Sequence, residues 1–454
     1  MHNDAWQESH LGDWIKLLSG GTPPKSDASL WGGSIPWISC KDMKVSLLDS
    51  SQDWLTEAGA SKLRKVPSGT ILIVVRGMIL ANEFPVARCL RDVTFNQDLK
   101  AVIPREGLDE GFLFQWLRGN SYEILGRVDE AGHGTKRLQT DRLLSVPLRL
   151  PPLPTQRRIA SILSAYDDLI ENNTKRIEIL EEMARSLYRE WFVHFRFPGH
   201  EKVKLVDSEL GKIPEGWDAT NLQALVDTGE LEIRTGPFGT QLKASDYVEN
   251  GPVPVINVRN VGFGTIRADK LEFVSKETAT RLRQHVLSVG DIAFGRKGAV
   301  ERHALVRPEQ DGWLQGSDCI RLRVLTGRVS PFRLSLQFQM PEHKAWMQNH
   351  CSHGATMASL NQRILGAIQL LVPSQSVYEN FLKFAKPAAN MIAQLDAKDA
   401  VLRQTRDLLL PKLISGEIDV DALDLPEELP RSGARRRKGR GKIDGDALDL
   451  QETG

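Results

Sequence analysis

The chain says most of what it has to say twice. Its first half carries Gly20-Gly21-Thr22-Pro23, then Ser34-Ile35-Pro36-Trp37-Ile38-Ser39, then Pro67-Ser68-Gly69-Thr70-Ile71-Leu72. It continues with Phe95-Asn96-Gln97-Asp98, His133-Gly134-Thr135 and Val146-Pro147-Leu148-Arg149-Leu150-Pro151. The second half answers in the same order. It has Thr235-Gly236-Pro237-Phe238-Gly239, Val253-Pro254-Val255-Ile256-Asn257 and Ser288-Val289-Gly290-Asp291-Ile292. Leu314-Gln315-Gly316-Ser317-Asp318, His353-Gly354-Ala355-Thr356 and Ile368-Gln369-Leu370-Leu371-Val372-Pro373 follow. Pro36 matches Pro254, Gly69 matches Gly290 and His133 matches His353, at offsets of 218, 221 and 220. A repeat of this length forces a duplicated architecture.

Each copy reads as mixed α/β. Ile71-Leu72-Ile73-Val74-Val75 and Asp291-Ile292-Ala293-Phe294 are short apolar runs bounded by glycine and polar residues, the pattern of strands. The stretch from Gly111 to Leu117 has no internal breaker and reads as the start and body of a helix.

Each copy then ends in a long helix. Ile159, Leu163, Tyr166, Ile170, Asn173, Ile177, Leu180, Ala184, Leu187 and Trp191 step by four and three, the seam of a coiled coil. A helix over 155–192 would be roughly 57 Å long, more than one turn of duplex DNA at about 34–36 Å. A rod of that length suits holding two reading domains apart along a duplex. The second seam reads Phe381, Phe384, Ala388, Met391, Leu395, Lys398, Leu402, Thr405 and Leu409. Pro387 lies inside it and is expected to kink or interrupt the helix. Asn173 and Lys398 are polar seam positions that would fix register. Mutual pairing is the best use of both stripes.

These features predict an α/β (α+β) domain in two copies, joined by two long coiled-coil helices as a pseudo-twofold internal repeat. The boundaries expected are a first domain over 1–150, a first spacer helix over 151–197 and a linker over 198–217. A second domain over 218–373, a second helix over 374–415 and a disordered charged tail over 416–454 complete the chain. In the tail, Gly416-Glu417-Ile418-Asp419-Val420-Asp421-Ala422-Leu423-Asp424-Leu425 recurs as Gly441-Lys442-Ile443-Asp444-Gly445-Asp446-Ala447-Leu448-Asp449-Leu450. A basic run, Arg435-Arg436-Arg437-Lys438, lies between them.

Several chemistries find no support. There is no run of 18 apolar residues for a membrane span and no basic-then-apolar leader at the N-terminus, so a cytoplasmic protein is expected. The four cysteines are scattered, with no C-x-x-C pair to suggest zinc. No G-x-x-x-x-G-K-[ST] loop is present for a motor, and neither proline pair completes a base-flipping methyltransferase motif. Asp42-Met43-Lys44, Asp98-Leu99-Lys100 and Glu342-His343-Lys344 have the form of nuclease triples. In a chain with 58 acids and 59 bases such triples arise freely. His133 and His353 each precede glycine and lack a local nucleophile, which favours a loop role. A net charge of +1 leaves a local basic patch open.

Three stretches carry a family resemblance: Pro151-Pro152-Leu153-Pro154-Thr155-Gln156-Arg157-Arg158-Ile159-Ala160-Ser161-Ile162-Leu163, Leu210-Gly211-Lys212-Ile213-Pro214-Glu215-Gly216-Trp217, and Arg406-Asp407-Leu408-Leu409-Leu410-Pro411-Lys412-Leu413-Ile414-Ser415-Gly416-Glu417-Ile418. They closely resemble the specificity (S) subunits of type I restriction–modification enzymes, over nearly the whole chain to about residue 418. The second helix departs from the pattern, with Pro373-Ser374-Gln375-Ser376-Val377-Tyr378 where the first has Pro154-Thr155-Gln156-Arg157-Arg158-Ile159.

The resemblance implies a non-catalytic subunit with two target-recognition domains, each reading one half of a split site in double-stranded DNA, and two long helices packed antiparallel as a spacer. The differing loops Gly21-Thr22-Pro23-Pro24-Lys25 and Gly236-Pro237-Phe238-Gly239-Thr240 predict a non-palindromic site. It implies docking of two modification (methyltransferase) subunits and of restriction (motor-nuclease) subunits. This subunit would hold no cofactor, S-adenosylmethionine belonging to the modification subunits. The alternatives are a DNA-free coiled-coil scaffold and a single-chain restriction enzyme. Basic residues in the Gly/Pro loops and near strand ends are the candidate DNA contacts. In the first copy these are Lys25, Lys41, Arg76, Lys136 and Arg137. In the second they are Arg234, Lys243, Arg259, Arg296 and Lys297.

Overall fold

The computed structural model describes residues 6–130, 135–268, 270–327, 329–353 and 358–423. The chain divides into two compact units. One comprises residues 1–171 with 401–454, the other residues 172–400. Each therefore contains one copy of the repeat and parts of both long helices.

In the first unit, five strands run in the order Ile15–Ser19, Leu99–Pro104, Ile71–Val74, Val86–Cys89, Leu47–Leu48. Neighbours are antiparallel except the last pair, which is parallel. The second unit repeats this order with Leu231–Thr235, Cys319–Val324, Ile292–Gly295, His303–Leu305 and Phe263–Gly264, again with only the last pair parallel. Each unit adds a four-stranded sheet. In the first, Trp31–Ile38 lies parallel to Val93–Phe95 and antiparallel to Asp53–Leu55. In the second, Val253–Ile256 lies parallel to Leu314–Gln315 and antiparallel to Glu272–Val274. Ile71-Leu72-Ile73-Val74 and Ile292-Ala293-Phe294-Gly295 are buried throughout, which is why they read as continuous apolar runs rather than alternating ones. The helix expected from Gly111 extends over Glu110–Gly119, started by Asp109, whose side chain accepts from the Phe112 amide.

Strand pairing fixes the correspondence of the two copies. Gln7–His10 pairs with Pro147–Leu150, and Asp218–Asn221 pairs with Gln369–Val372. Leu150 thus matches Val372, so Pro373 is the counterpart of Pro151, not of Pro154. The long helices, Leu153–Tyr188 and Gln375–Ser415, start 222 residues apart.

Within each unit the two helices run antiparallel. In the first, Ile159 and Leu163 share a core with Leu410, Leu413 and Ile414. In the second, Asn173 lies against Asp399 and Trp191 against Phe381. The first seam is buried or half-buried at every expected position. The second is phased differently from the expectation. Phe384, Met391 and Lys398 are exposed, and the seam runs instead through Phe381, Ala385, Ala388, Ile392, Leu395, Asp399, Leu402, Arg406, Leu409 and Leu413, all buried or half-buried. Adding 222 to the first seam generates this set residue by residue.

The shift has an electrostatic cause. Asn173 donates to the buried Asp399 carboxylate at 2.7 Å, so the polar seam residue of the second helix is Asp399 and not Lys398. Arg406 donates to Asp167 at 2.8 Å, and Arg118 reaches the other Asp167 oxygen at 2.7 Å. Burial alone would raise the Asp167 carboxyl, but Arg118, Gln115 and Arg406 hold it below the usual carboxylate range. Asp399 and Arg406 occupy the seam because each finds a polar partner there, the Asn173 amide and the Asp167 carboxylate.

Pro387 does not interrupt its helix, which runs unbroken over Gln375–Ser415. The residue is exposed, as is Lys383 one turn earlier. The missing amide therefore leaves the Lys383 carbonyl on a solvated face, where water can satisfy it. The expected linker over 198–217 is itself structured. It holds a hairpin of Leu205–Ser208 and Gly211–Pro214. Its Ile213 and Trp217 are buried with Phe192, Phe197 and Phe381.

Gln156 shows what one family-like motif does. Its side chain accepts from the Asp109 amide at 2.7 Å and donates to the Gly107 and Pro151 carbonyls at 3.0 and 2.8 Å. One buried amide thereby ties the start of the long helix to the domain.

Candidate nucleic-acid interface

The loops that carry the repeated Gly/Pro motifs leave the same ends of the same strands in both copies, and main-chain hydrogen bonds clamp them together. In the first copy Gly21 donates to Phe95 O, Asn96 to Ile38 O, and Val75 and Arg76 to Asp98 O. Gly77 donates to Lys136 O, and Leu138 to Val75 O. In the second copy Gly236 donates to Cys319 O, Gly316 to Ile256 O and Arg296 to Asp318 O. Gly298 donates to Ala358 O, and Leu360 to Arg296 O. Two glycines explain the motif at the first loop. A Cβ on Gly20 would press into the Phe95 carbonyl oxygen, and one on Gly236 into that of Gly316. No side chain fits where one loop's backbone lies on the next.

This cluster brings together most of the candidate cations. In the first copy Arg76 pairs across a β-bridge with Arg137, beside Lys136. Lys41 follows Cys40, whose thiol donates to the Arg76 carbonyl at 3.4 Å. Burial, with the Asp98 carboxylate nearby, pushes that thiol up to about 11, so it stays a protonated donor. Lys41, Arg76 and Arg137 are exposed and form no ion pair among the described residues. Lys136 is half-buried and lies 3.1 Å from Glu130. Lys25 is exposed on the excursion that follows the first loop, away from these clamps.

The second copy places its cations similarly but partners them differently. Lys297 bridges to Ser359 and lies 3.2 Å from Asp318. Arg259 is 2.8 Å from Glu272. Arg234 is half-buried, held by Glu232 at 2.5 Å and Gln284 at 2.8 Å. Arg296 sits over the Phe238 ring, 5.4 Å from its centroid. Lys243 is exposed on the excursion after the first loop, where its amide donates to Asp246.

Two features of the cluster escaped the sequence reading, which counted only cations. Thr22 donates to Gln97 at 2.6 Å on the first copy's loops, and Phe238 stands exposed on the second's. Of the other candidates, His133 and the side chain of His353 lie outside the described residues, as does the tail from residue 424. Among the described residues no group of acids, histidines and cysteines could hold a metal ion, and no helix is long and apolar enough to cross a membrane.

Residues 3–182 match the type I restriction modification DNA specificity domain. The chain is 26% identical over 426 residues to the type I restriction enzyme MjaIX specificity subunit of Methanocaldococcus jannaschii, covering 92% of this chain and 94% of that one. It is 34% identical over 197 residues to the EcoR124I/EcoR124II specificity subunit of Escherichia coli, covering 42% and 49% of the two chains. A crystal structure of a type I restriction–modification S subunit from M. genitalium shares the fold, with a TM-score of 0.56 at 16% identity over 91% of this chain and 97% of that one. The chain thus carries a type I restriction modification DNA specificity domain over residues 3–182 and is similar to the specificity subunits of type I restriction enzymes along nearly its whole length.

Proposed function

We propose that each unit reads one half of a split DNA site through its loop cluster, and that all bond chemistry is done by partner subunits. The observation that carries this is the cluster itself. It occurs twice, at the ends of the same strands and with cations at two matched positions, Lys41 with Arg259 and Arg76 with Lys297, yet with different side chains at its tip. Cations position the phosphate backbone, while loop side chains read base edges. Lys25, Lys41, Arg76, Lys136 and Arg137 would serve one half-site, and Arg234, Lys243, Arg259, Arg296 and Lys297 the other. Because Gly21-Thr22-Pro23-Pro24-Lys25 differs from Gly236-Pro237-Phe238-Gly239-Thr240, the halves differ in sequence and the site is not a palindrome.

On this reading the subunit works in the cytoplasm with two modification subunits, which bring S-adenosylmethionine, and with motor-nuclease subunits for cleavage. The test is to produce the full chain with modification subunits and map methylated bases across a host genome. A two-part motif is expected. Exchanging residues 1–150 for another such domain should change one half only. Methyl transfer by this chain alone, or a change in both halves, would overturn the reading, and DNA binding that does not respond to salt would point to a scaffold instead.

A further inference from the structure

The tip of the second loop cluster carries a pair with no counterpart in the first. By strand register, Ser19 matches Thr235, because Ser19 faces Lys100 and Thr235 faces the equivalent Ile320. Thr22 therefore occupies the place of Phe238. Val75 occupies the place of Arg296, since both donate an amide to the matched Asp98 and Asp318 carbonyls and accept one from Leu138 and Leu360. Both members of the pair have changed together. Where the second copy sets a guanidinium over an aromatic ring, the first has a buried valine and a threonine bonded to Gln97.

Phe238 is 58% exposed on a glycine-flanked loop, a poor place for an aromatic ring unless something else covers it. Arg296 differs from its neighbours in commitment. Arg234, Arg259 and Lys297 each hold a carboxylate, whereas Arg296 has no ion pair among the described residues, and its Nε is buried without a hydrogen-bond partner. The cation–π contact with the ring restrains the guanidinium and leaves its terminal amino groups unspent. A planar fork of donors restrained at a loop tip matches the O6 and N7 acceptors of guanine in the major groove.

We propose that Arg296 reads a guanine in the second half-site and that Phe238 is the positioning residue that holds it. This rests on reading the second copy as a half-site reader. The test uses the full chain with modification subunits. It measures methylation rates and binding on duplexes altered one base pair at a time, at two salt concentrations. Arg296→Gln is expected to cut discrimination at one guanine of the second half-site about ten- to hundredfold, leaving the first half-site unchanged. Phe238→Ala should relax the same position less, and Phe238→Tyr should restore it.

If Arg296→Gln weakened all sequences alike and lowered the salt slope by about one, Arg296 would be a phosphate contact and the proposal would fall. It would fall equally if neither variant changed discrimination. A wild-type complex that methylates no two-part site would instead overturn the half-site reading beneath it.

Discussion

The two copies share a strand order but fill it with different chemistry. At the centre of the first five-stranded sheet, Leu18, Ala101 and Leu72 stand side by side. The matching positions in the second are Arg234, Arg321 and Ala293. Arg321 is 1% exposed, joined to Glu232 at 2.7 Å and to the Gln284 and Val286 carbonyls at 3.1 and 3.2 Å. Arg323 completes the group, bound to the buried Asp291. Where the first copy has Val86, the second has His303, fully buried and bonded to Ser335 at 3.0 Å. One scaffold therefore tolerates either an apolar or an ionic centre, provided every buried charge finds its partner.

The largest effect that would break this comparison is at Arg321. Arg321→Met takes one of two cationic partners from Glu232, which keeps Arg234, and leaves the Gln284 carbonyl unpaired, and should cost about 3 kcal/mol. Adding Glu232→Leu should not recover that loss, because it takes the carboxylate from Arg234 as well. Amide hydrogen exchange can read both results, with strand Leu99–Pro104 as control for strand Cys319–Val324 in the same molecule.

Acid should separate the units next. Burial pushes His303 down to about 3 and His343 down to about 4. Folding therefore favours their neutral forms. Their contribution is complete above the unfolded value of about 6.5 and is lost as pH falls toward the folded values. Between pH 7 and 5 the second unit should lose about 2 kcal/mol for each of these two histidines. The only described histidine in the first unit is His10, which is exposed. Equal acid sensitivity of both units in exchange or proteolysis experiments would contradict the contrast.

Pro387 allows a smaller test. Pro387→Ala restores an amide in a helix that already runs through the site, and should stabilise the chain by up to about 3 kcal/mol in denaturant titration. A loss of stability would mean the proline is needed where it stands.

The smallest expected effect concerns the loop cations. Lys41→Ala and Arg76→Ala should each lower the salt slope of DNA binding by about one. Lys297→Ala and Arg259→Ala should lower it less, since Asp318 and Glu272 already hold those charges. Equal slopes would show that the two copies meet phosphate alike.

The sequence disclosed the duplication because glycine and proline motifs recur in order, and the central strands and the first helix seam because apolar spacing determines them. It misled on the second seam. Phe384 and Met391 looked like better core residues than Asp399 and Arg406, and only Asn173 and Asp167, more than two hundred residues away, make the charged choice favourable. Of the site, the cations were legible as residue types and the loops as glycine motifs. The Arg296–Phe238 stack and the Thr22–Gln97 bond were not, because each joins loops whose approach only the fold defines.

The clamps between loops have a consequence for how such a protein changes over generations. Gly21, Arg76, Gly77, Arg296 and Gly298 hold their loops through backbone amides, and a backbone amide does not depend on the side chain its residue carries. Mutation at Thr22, Gln97, Phe238 or Arg296 can therefore alter what is displayed without moving the frame that displays it. Lineages could explore new recognition sequences through single substitutions while the fold stays under unchanged selection.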